Sequence, residues 1–229
     1  MNKFVKILKD IFYSFLWIGV LIIIADLISK QVVLHTMKLG DKINLIGEFL
    51  FFEYNVNPGM AFGINFLTAA NPIANQIIFI SISIIGAALL IFVLVKQYKK
   101  LNALEKASMG LMIAGCLGNL VDRAFYSQAY LSKFDPMIET NGVVDFIVLN
   151  FGFASIPNFN IADSALVIGT IMLITVLIIE EVKDFKQKRK LELATEGNEK
   201  IVSTDEQMME NKESTEDKSS EENKPQDEN

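Results

Sequence analysis

Two aspartates carry the chemistry open to this chain: Asp145, in Val143-Val144-Asp145-Phe146, and Asp163, in Phe159-Asn160-Ile161-Ala162-Asp163-Ser164. Asp163 opens an apolar run that continues to Ile179, and Asp145 lies 18 residues upstream, in the same extramembrane stretch. A carboxylate at the mouth of a hydrocarbon-spanning helix is costly to place, and such residues default to a functional role. Two that converge can share one proton and activate a water, which is aspartyl-protease chemistry. Helix capping would explain Asn160 or Asp163 singly. It does not explain both, nor Asp145 inside Val-Val-Asp-Phe-Ile-Val-Leu.

Further polar groups stand near these two. Asp26 and Lys30 are four apart on one helix face and can pair, which offsets part of the cost of lying near the membrane. Asn57-Pro58-Gly59-Met60-Ala61-Phe62-Gly63 is a turn, with the Asn57 side chain offering both donor and acceptor. In Gly115-Cys116-Leu117-Gly118-Asn119-Leu120-Val121-Asp122-Arg123, Asn119 and Arg123 face the same way, and Arg123 can donate to a carboxylate or carbonyl. Gly110, Ala114 and Gly118 repeat every fourth residue, which lets another helix approach closely. The bland readings are a structural ion pair, an ordinary turn, and a helix-end salt bridge.

The elements that must position these groups are membrane helices. The 229 residues are 51% hydrophobic, with the apolar residues concentrated in runs that a soluble domain of this size lacks. About 20 apolar residues cross a bilayer, and four segments qualify: 11–34, 75–95, 107–121 and 161–179. The first follows Lys3, Lys6 and Lys9 as a secretory signal would, but it has no small-residue cleavage site and continues through Asp26 and Lys30, so it is expected to be a retained helix. Residues 44–57, aromatic and β-branched, predict short strands, apolar enough to lie on or in the membrane surface. Residues 191–229 form an acidic tail: from Glu192 onward there are 13 acidic and 4 basic side chains and almost no aromatics, which predicts disorder. One cysteine, Cys116, excludes an intramolecular disulfide or cysteine-based zinc cluster, and one histidine, His35, leaves little room for a histidine metal site.

Taken together, the Asn-x-Gly-x-Ala-Phe, Gly-Asn-x-x-Asp-Arg, Val-Val-Asp-Phe and Phe-Asn-x-Ala-Asp blocks resemble, in order, those of the bacterial lipoprotein signal peptidases, the signal peptidase II family of intramembrane aspartyl proteases. The resemblance covers residues 11 to about 183. It implies an α-helical membrane protein with four transmembrane helices and a small extracytoplasmic β-rich region. It places the catalytic pair on Asp145 and Asp163, with supporting roles for Asp26, Lys30, Asn57, Gly115, Asn119, Arg123 and Asn160, and a structural one for Asp122 near Arg123. The implied substrate is a prolipoprotein whose cysteine already bears a diacylglyceryl group, cut just before that cysteine. Neither metal nor other cofactor is implied, nor any nucleic-acid partner; the expected state is a monomer among lipids of the bacterial inner membrane. Met60 departs from the family's small residue, and the stretch from Asp122 to Asp145 is longer than usual, carrying Ser127 to Thr140 as extra surface. An ion-coupled carrier would place its charges near mid-membrane, often in an internal repeat; here they gather at one face. A structural assembly subunit would tolerate single Asp-to-Asn changes.

Basic residues set the expected orientation. Twelve flank the segments 1–10, 96–106 and 183–190, against four (Lys38, Lys42, Arg123, Lys133) in the other two loops. Both termini are therefore expected in the cytoplasm, with the active site near the extracytoplasmic face. In a Cys116→Ser background, Lys42→Cys and Lys133→Cys should react with an impermeant thiol reagent in intact cells, while Lys99→Cys and Gln207→Cys stay protected. Labelling at 99 or protection at 133 would contradict this topology.

Overall fold

The computed structural model describes residues 16–59 and 72–221. Their elements are α1 (Leu16–Thr36), β1 (Lys42–Ile46), β2 (Leu50–Asn57), α2 (Pro72–Gln97), α3 (Ala103–Phe125), α4 (Gln128–Leu131), β3 (Val143–Asn150), β4 (Ser155–Phe159) and α5 (Ile161–Glu221). The start of the first expected span (residues 11–15), Met60 with Ala61 to Gly63, and residues 222–229 of the tail lie outside the described residues. The chain divides into two compact units, 1–176 and 177–229, and the site lies within the first. This division falls inside α5, ahead of the boundary at 190 that composition suggests. Residues 192–221, where composition predicts disorder, carry helical backbone; Glu, Lys, Gln and Met are good helix formers without any packing.

Among the described residues, three helices are long and apolar enough to cross a membrane: Leu16–Thr36, Gln76–Gln97 and Ile161–Leu193. Their polarity is inside out. Ile24 and Ile28 on α1 and Ile85 and Phe92 on α2 are exposed, while Asp26 and Lys30 are fully buried. The expected third span, 107–121, is the middle of α3, a longer helix started by a capping box of Asn102 and Glu105. Glu105, Asp122 and Arg123 keep it from being lipid-like, and all three are buried. A helix enclosed by protein need not be apolar.

Small residues let its neighbours close in. A Cβ on Gly115 would stand 2.5 Å from the Ala162 carbonyl oxygen of α5, and one on Gly118 would stand 2.8 Å from both the Ala162 Cβ and the Asp26 carboxylate. Gly19 of α1 meets the Gly110 carbonyl at 2.7 Å in the same way. The fourfold small-residue repeat thus serves α1 at Gly110 and both α1 and α5 at Gly118, while Gly115, one residue off that stripe, serves α5.

The strands form one antiparallel sheet in the order β1-β2-β3-β4. The expected strands over 44–57 are β1 and β2, turned at Gly47, whose φ of 53° lies in the left-handed region. Between β2 and β3, Phe52 pairs with Ile147 but Asn55 pairs with Asp145, so β2 carries one extra residue there. Such a bulge switches side-chain parity. It turns Asn57, opposite Val143, onto the face that carries Asp145.

Below the sheet, Val33 and Leu34 of α1 and Met37 just past its end pack with Tyr54, Val56, Val144 and Phe146. Leu131 and Ile138 complete that core, 0% and 2% exposed. Ser127 to Thr140 is therefore not extra surface: Leu131 and Ile138 plug the sheet against the end of α1, and Asp135 ties the segment down by accepting from the Leu39 and Met137 amides.

Candidate active site

Asp145 sits in mid-β3 and is 1% exposed. Its two carboxylate oxygens accept from side-chain amides: Asn57 Nδ2 at 2.8 Å and Asn160 Nδ2 at 2.7 Å. Asp163 occupies the first turn of α5, where a helix N-terminus favours negative charge. Asn160 caps this turn, its Oδ1 accepting from the Asp163 amide at 2.8 Å while Asp163 Oδ2 accepts from the Asn160 amide at 3.3 Å. The other Asp163 oxygen accepts from Asn119 Nδ2 at 2.7 Å. Asn160 also donates to Asn119 Oδ1 at 3.0 Å. One residue, Asn160, thus holds both carboxylates.

The 18-residue spacing has a simple cause. From Asp145 the chain runs up β3, turns through an Asx-type bend at Asn150 and Gly152, and returns along β4 to the cap. The second carboxylate arrives one helical turn later.

Behind the pair lies a buried charge cluster. Lys30 Nζ is 2.7 Å from Asp26 and 2.9 Å from Asp122, with all three side chains fully enclosed. It also donates to Asn119 Oδ1 at 3.3 Å. The free oxygen of Asp26 accepts the Ala162 amide at 2.9 Å, and Asp122 accepts the Val144 amide at 3.2 Å. Asp122 was expected to act near Arg123; its ionic partner is Lys30, 92 residues away in the chain. Arg123 donates instead to the Gly59 carbonyl and stacks over Phe79 at 4.7 Å. That is a clamp on the chain's own turn rather than a helix-end salt bridge.

Burial, and then the negative charge of Asp163, push the Asp145 carboxyl well above the usual carboxylate range; the donors Asn57 and Asn160 and the charge of Lys30 oppose that rise. A cavity of about 190 Å³ opens beside the pair, between α2, α3, β3 and α5. Asn57, Asn119, Arg123, Asp145 and Asp163 form its polar end, and Phe79, Ile82 and Leu166 its apolar walls. Two carboxylates, fixed by amides beside apolar walls, can act on a polar bond carried by an apolar segment.

A family described as signal peptidase (SPase) II matches residues 18–179. The chain belongs to the signal peptidase II family. Lipoprotein signal peptidases of Staphylococcus aureus strains JH9 and Newman are each 34% identical to it over 179 residues, 77% of this chain and 92% of theirs. A solved structure described as a bacterial membrane enzyme, determined by the in meso method at 2.3 Å resolution, is 32% identical with a TM-score of 0.57, covering 76% of this chain and 89% of its own. A second, at 1.9 Å resolution, is 33% identical with a TM-score of 0.55 over 72% of this chain and 92% of its own. As a signal peptidase II the protein is a membrane-embedded protease of the aspartyl type that removes signal peptides from prolipoproteins.

In this signal peptidase II chain the expected residues converge unequally. Asn57, Asn119, Asn160, Asp145 and Asp163 form the site; Arg123 and Gly115 line it; Asp26 and Lys30 act from behind. Sequence reasoning missed Gln76, whose Nε2 donates to the Arg123 carbonyl at 2.7 Å, and Gly142, where a Cβ would meet the Asn57 carbonyl at 2.5 Å. An Asn75-Gln76 amide pair at the start of an apolar run and a glycine just before Val143 were the available signals. Removing Lys30 would strand two buried carboxylates. Lys30→Met should lower stability by about 3–5 kcal/mol, and Asp26→Asn/Lys30→Met/Asp122→Asn should recover most of it. Thermal unfolding of the detergent-solubilised protein checks both.

Proposed function

We propose that Asp145 and Asp163 are the catalytic pair of this signal peptidase, and that it cuts diacylglyceryl-modified prolipoproteins just before the lipidated cysteine. The observation that carries this is the double grip of Asn160, its side-chain amide donating to Asp145 and its backbone amide to Asp163, at the polar end of an apolar cavity. Two buried acids this closely joined hold one proton between them. The ionised member takes a proton from water as the oxygen adds to the scissile carbonyl. The protonated member then gives its proton to the leaving nitrogen as the C–N bond breaks, with no covalent intermediate. Asn57, Asn119 and Asn160 hold the pair in place. Such positioning matters to the rate as much as acidity does.

In this reading α3 is the fourth span, shielded from lipid by its neighbours. Both termini face the cytoplasm, the sheet and the pair lie at the extracytoplasmic side of the inner membrane, and the enzyme works as a monomer. Residues 1–190 form the peptidase, and the acidic remainder is an appendage outside catalysis. Asp145→Asn and Asp163→Asn should each abolish cleavage of a lipidated prolipoprotein while the protein still folds and inserts. Near-wild-type turnover by either would sink the assignment.

The pH dependence has a definite sign. Because the folded Asp145 holds its proton more tightly than an unfolded one would, its contribution to stability is complete at low pH and lost as pH rises through the raised value. Turnover depends on the same proton, so kcat should fall on the alkaline side together with wild-type stability. Asp145→Asn should lack that alkaline loss of stability, and melting curves across pH measure it.

A further inference from the structure

Resting on Asp145 as a member of the catalytic pair, we infer that Gln76 and Asn141 form a clasp that positions the Gly59 turn, and through it Asp145, for the reaction. Gln76 lies in the second turn of α2, just before the apolar run that begins at Ile77, and its amide is not left idle. Both ends of that amide are used. Its Oε1 accepts from Asn141 Nδ2 at 2.9 Å, and its Nε2 donates to the Arg123 carbonyl at 2.7 Å.

That carbonyl lies in the last turn of α3, where helix geometry leaves carbonyls without a partner inside the helix. Gln76 supplies one. Phe79, three residues along α2 from Gln76, lies under the Arg123 guanidinium. The head of α2 therefore grips Arg123 at its backbone and at its side chain.

From Arg123 the connection continues inward. The guanidinium donates to the Gly59 carbonyl, the Gly59 amide donates to Asn57 Oδ1 at 2.9 Å, and Asn57 Nδ2 donates to Asp145 Oδ2 at 2.8 Å. At the outer end, Asn141 Oδ1 accepts from the Gln128 amide at 2.6 Å, joining the clasp to the start of α4. An unbroken polar path thus runs from the segment that plugs the sheet to a reacting oxygen. Gln76 and Asn141 touch no reacting atom; they are positioning residues.

The test uses the full chain, a lipidated prolipoprotein, and rates normalised to folded enzyme. Gln76→Leu removes both bonds at similar volume. Asn141→Asp keeps the acceptor for the Gln128 amide but loses the donor to Gln76, so it leaves the α4 turn intact. Each should lower kcat about tenfold, the scale of a sub-ångström misplacement, with KM changed less than twofold. The double variant should be no worse than the more impaired single one. Wild-type kcat per folded molecule in either variant, a defect confined to KM, or fully multiplicative losses would overturn the clasp. Asp145→Asn assayed alongside keeps the two readings apart: activity there removes the pair itself, whereas an inactive Asp145→Asn beside a fully active Gln76→Leu removes only the clasp.

Discussion

The ammonium group of Lys30 is the charge around which the site is assembled. It is fully enclosed by protein, so its burial is tolerable only because two carboxylates and an amide oxygen converge on it. Each partner carries a second obligation: Asp26 holds the first turn of α5, Asp122 holds β3 one residue before Asp145, and Asn119 holds Asp163. Four elements are thereby tied to one cation. An exposed ion pair could not do this, since solvent would compete for every contact. Gly118 leaves the gap through which the Asp26 carboxylate reaches this cluster.

Around the pair itself the protein uses asparagine. An amide side chain donates and accepts at once without adding charge. Lysine or arginine in the places of Asn57, Asn119 and Asn160 would favour the ionised form of both aspartates. The one nearby guanidinium, Arg123, is turned onto a backbone carbonyl and an aromatic ring. Among the described residues, the arrangement keeps the pair ordered without a cation bound directly to either carboxylate.

Much of this was legible in the residues. Costly carboxylates at helix mouths, asparagines beside them, and small residues at helical spacing all carry local signals, and the strands of residues 44–57 show in their aromatic and β-branched content. What was not legible depended on distant partners. Val143–Asn150 is buried on both faces near Asp145, so it lacks the alternation that marks a half-exposed strand. Asp122 has Arg123 as its neighbour in sequence, but its ionic partner comes from α1. Leu131 and Ile138 are isolated apolar residues in a polar stretch, and only the end of α1 and the sheet reveal where they go. The bulge in β2, which brings Asn57 to bear on Asp145, leaves no mark that composition can register.

The capped start of α5 has a mechanical consequence. A helix in a bilayer changes tilt as the thickness of the hydrocarbon around it changes. Asp163 lies within one turn of the end that Asn160 and Asp26 pin to the sheet and to α1, so it sits at the fulcrum of any such rocking. The displacement grows with distance along the helix and is least at the carboxylate. The geometry that joins the two carboxylates is thus the part of the helix least disturbed by a change in the bilayer around it.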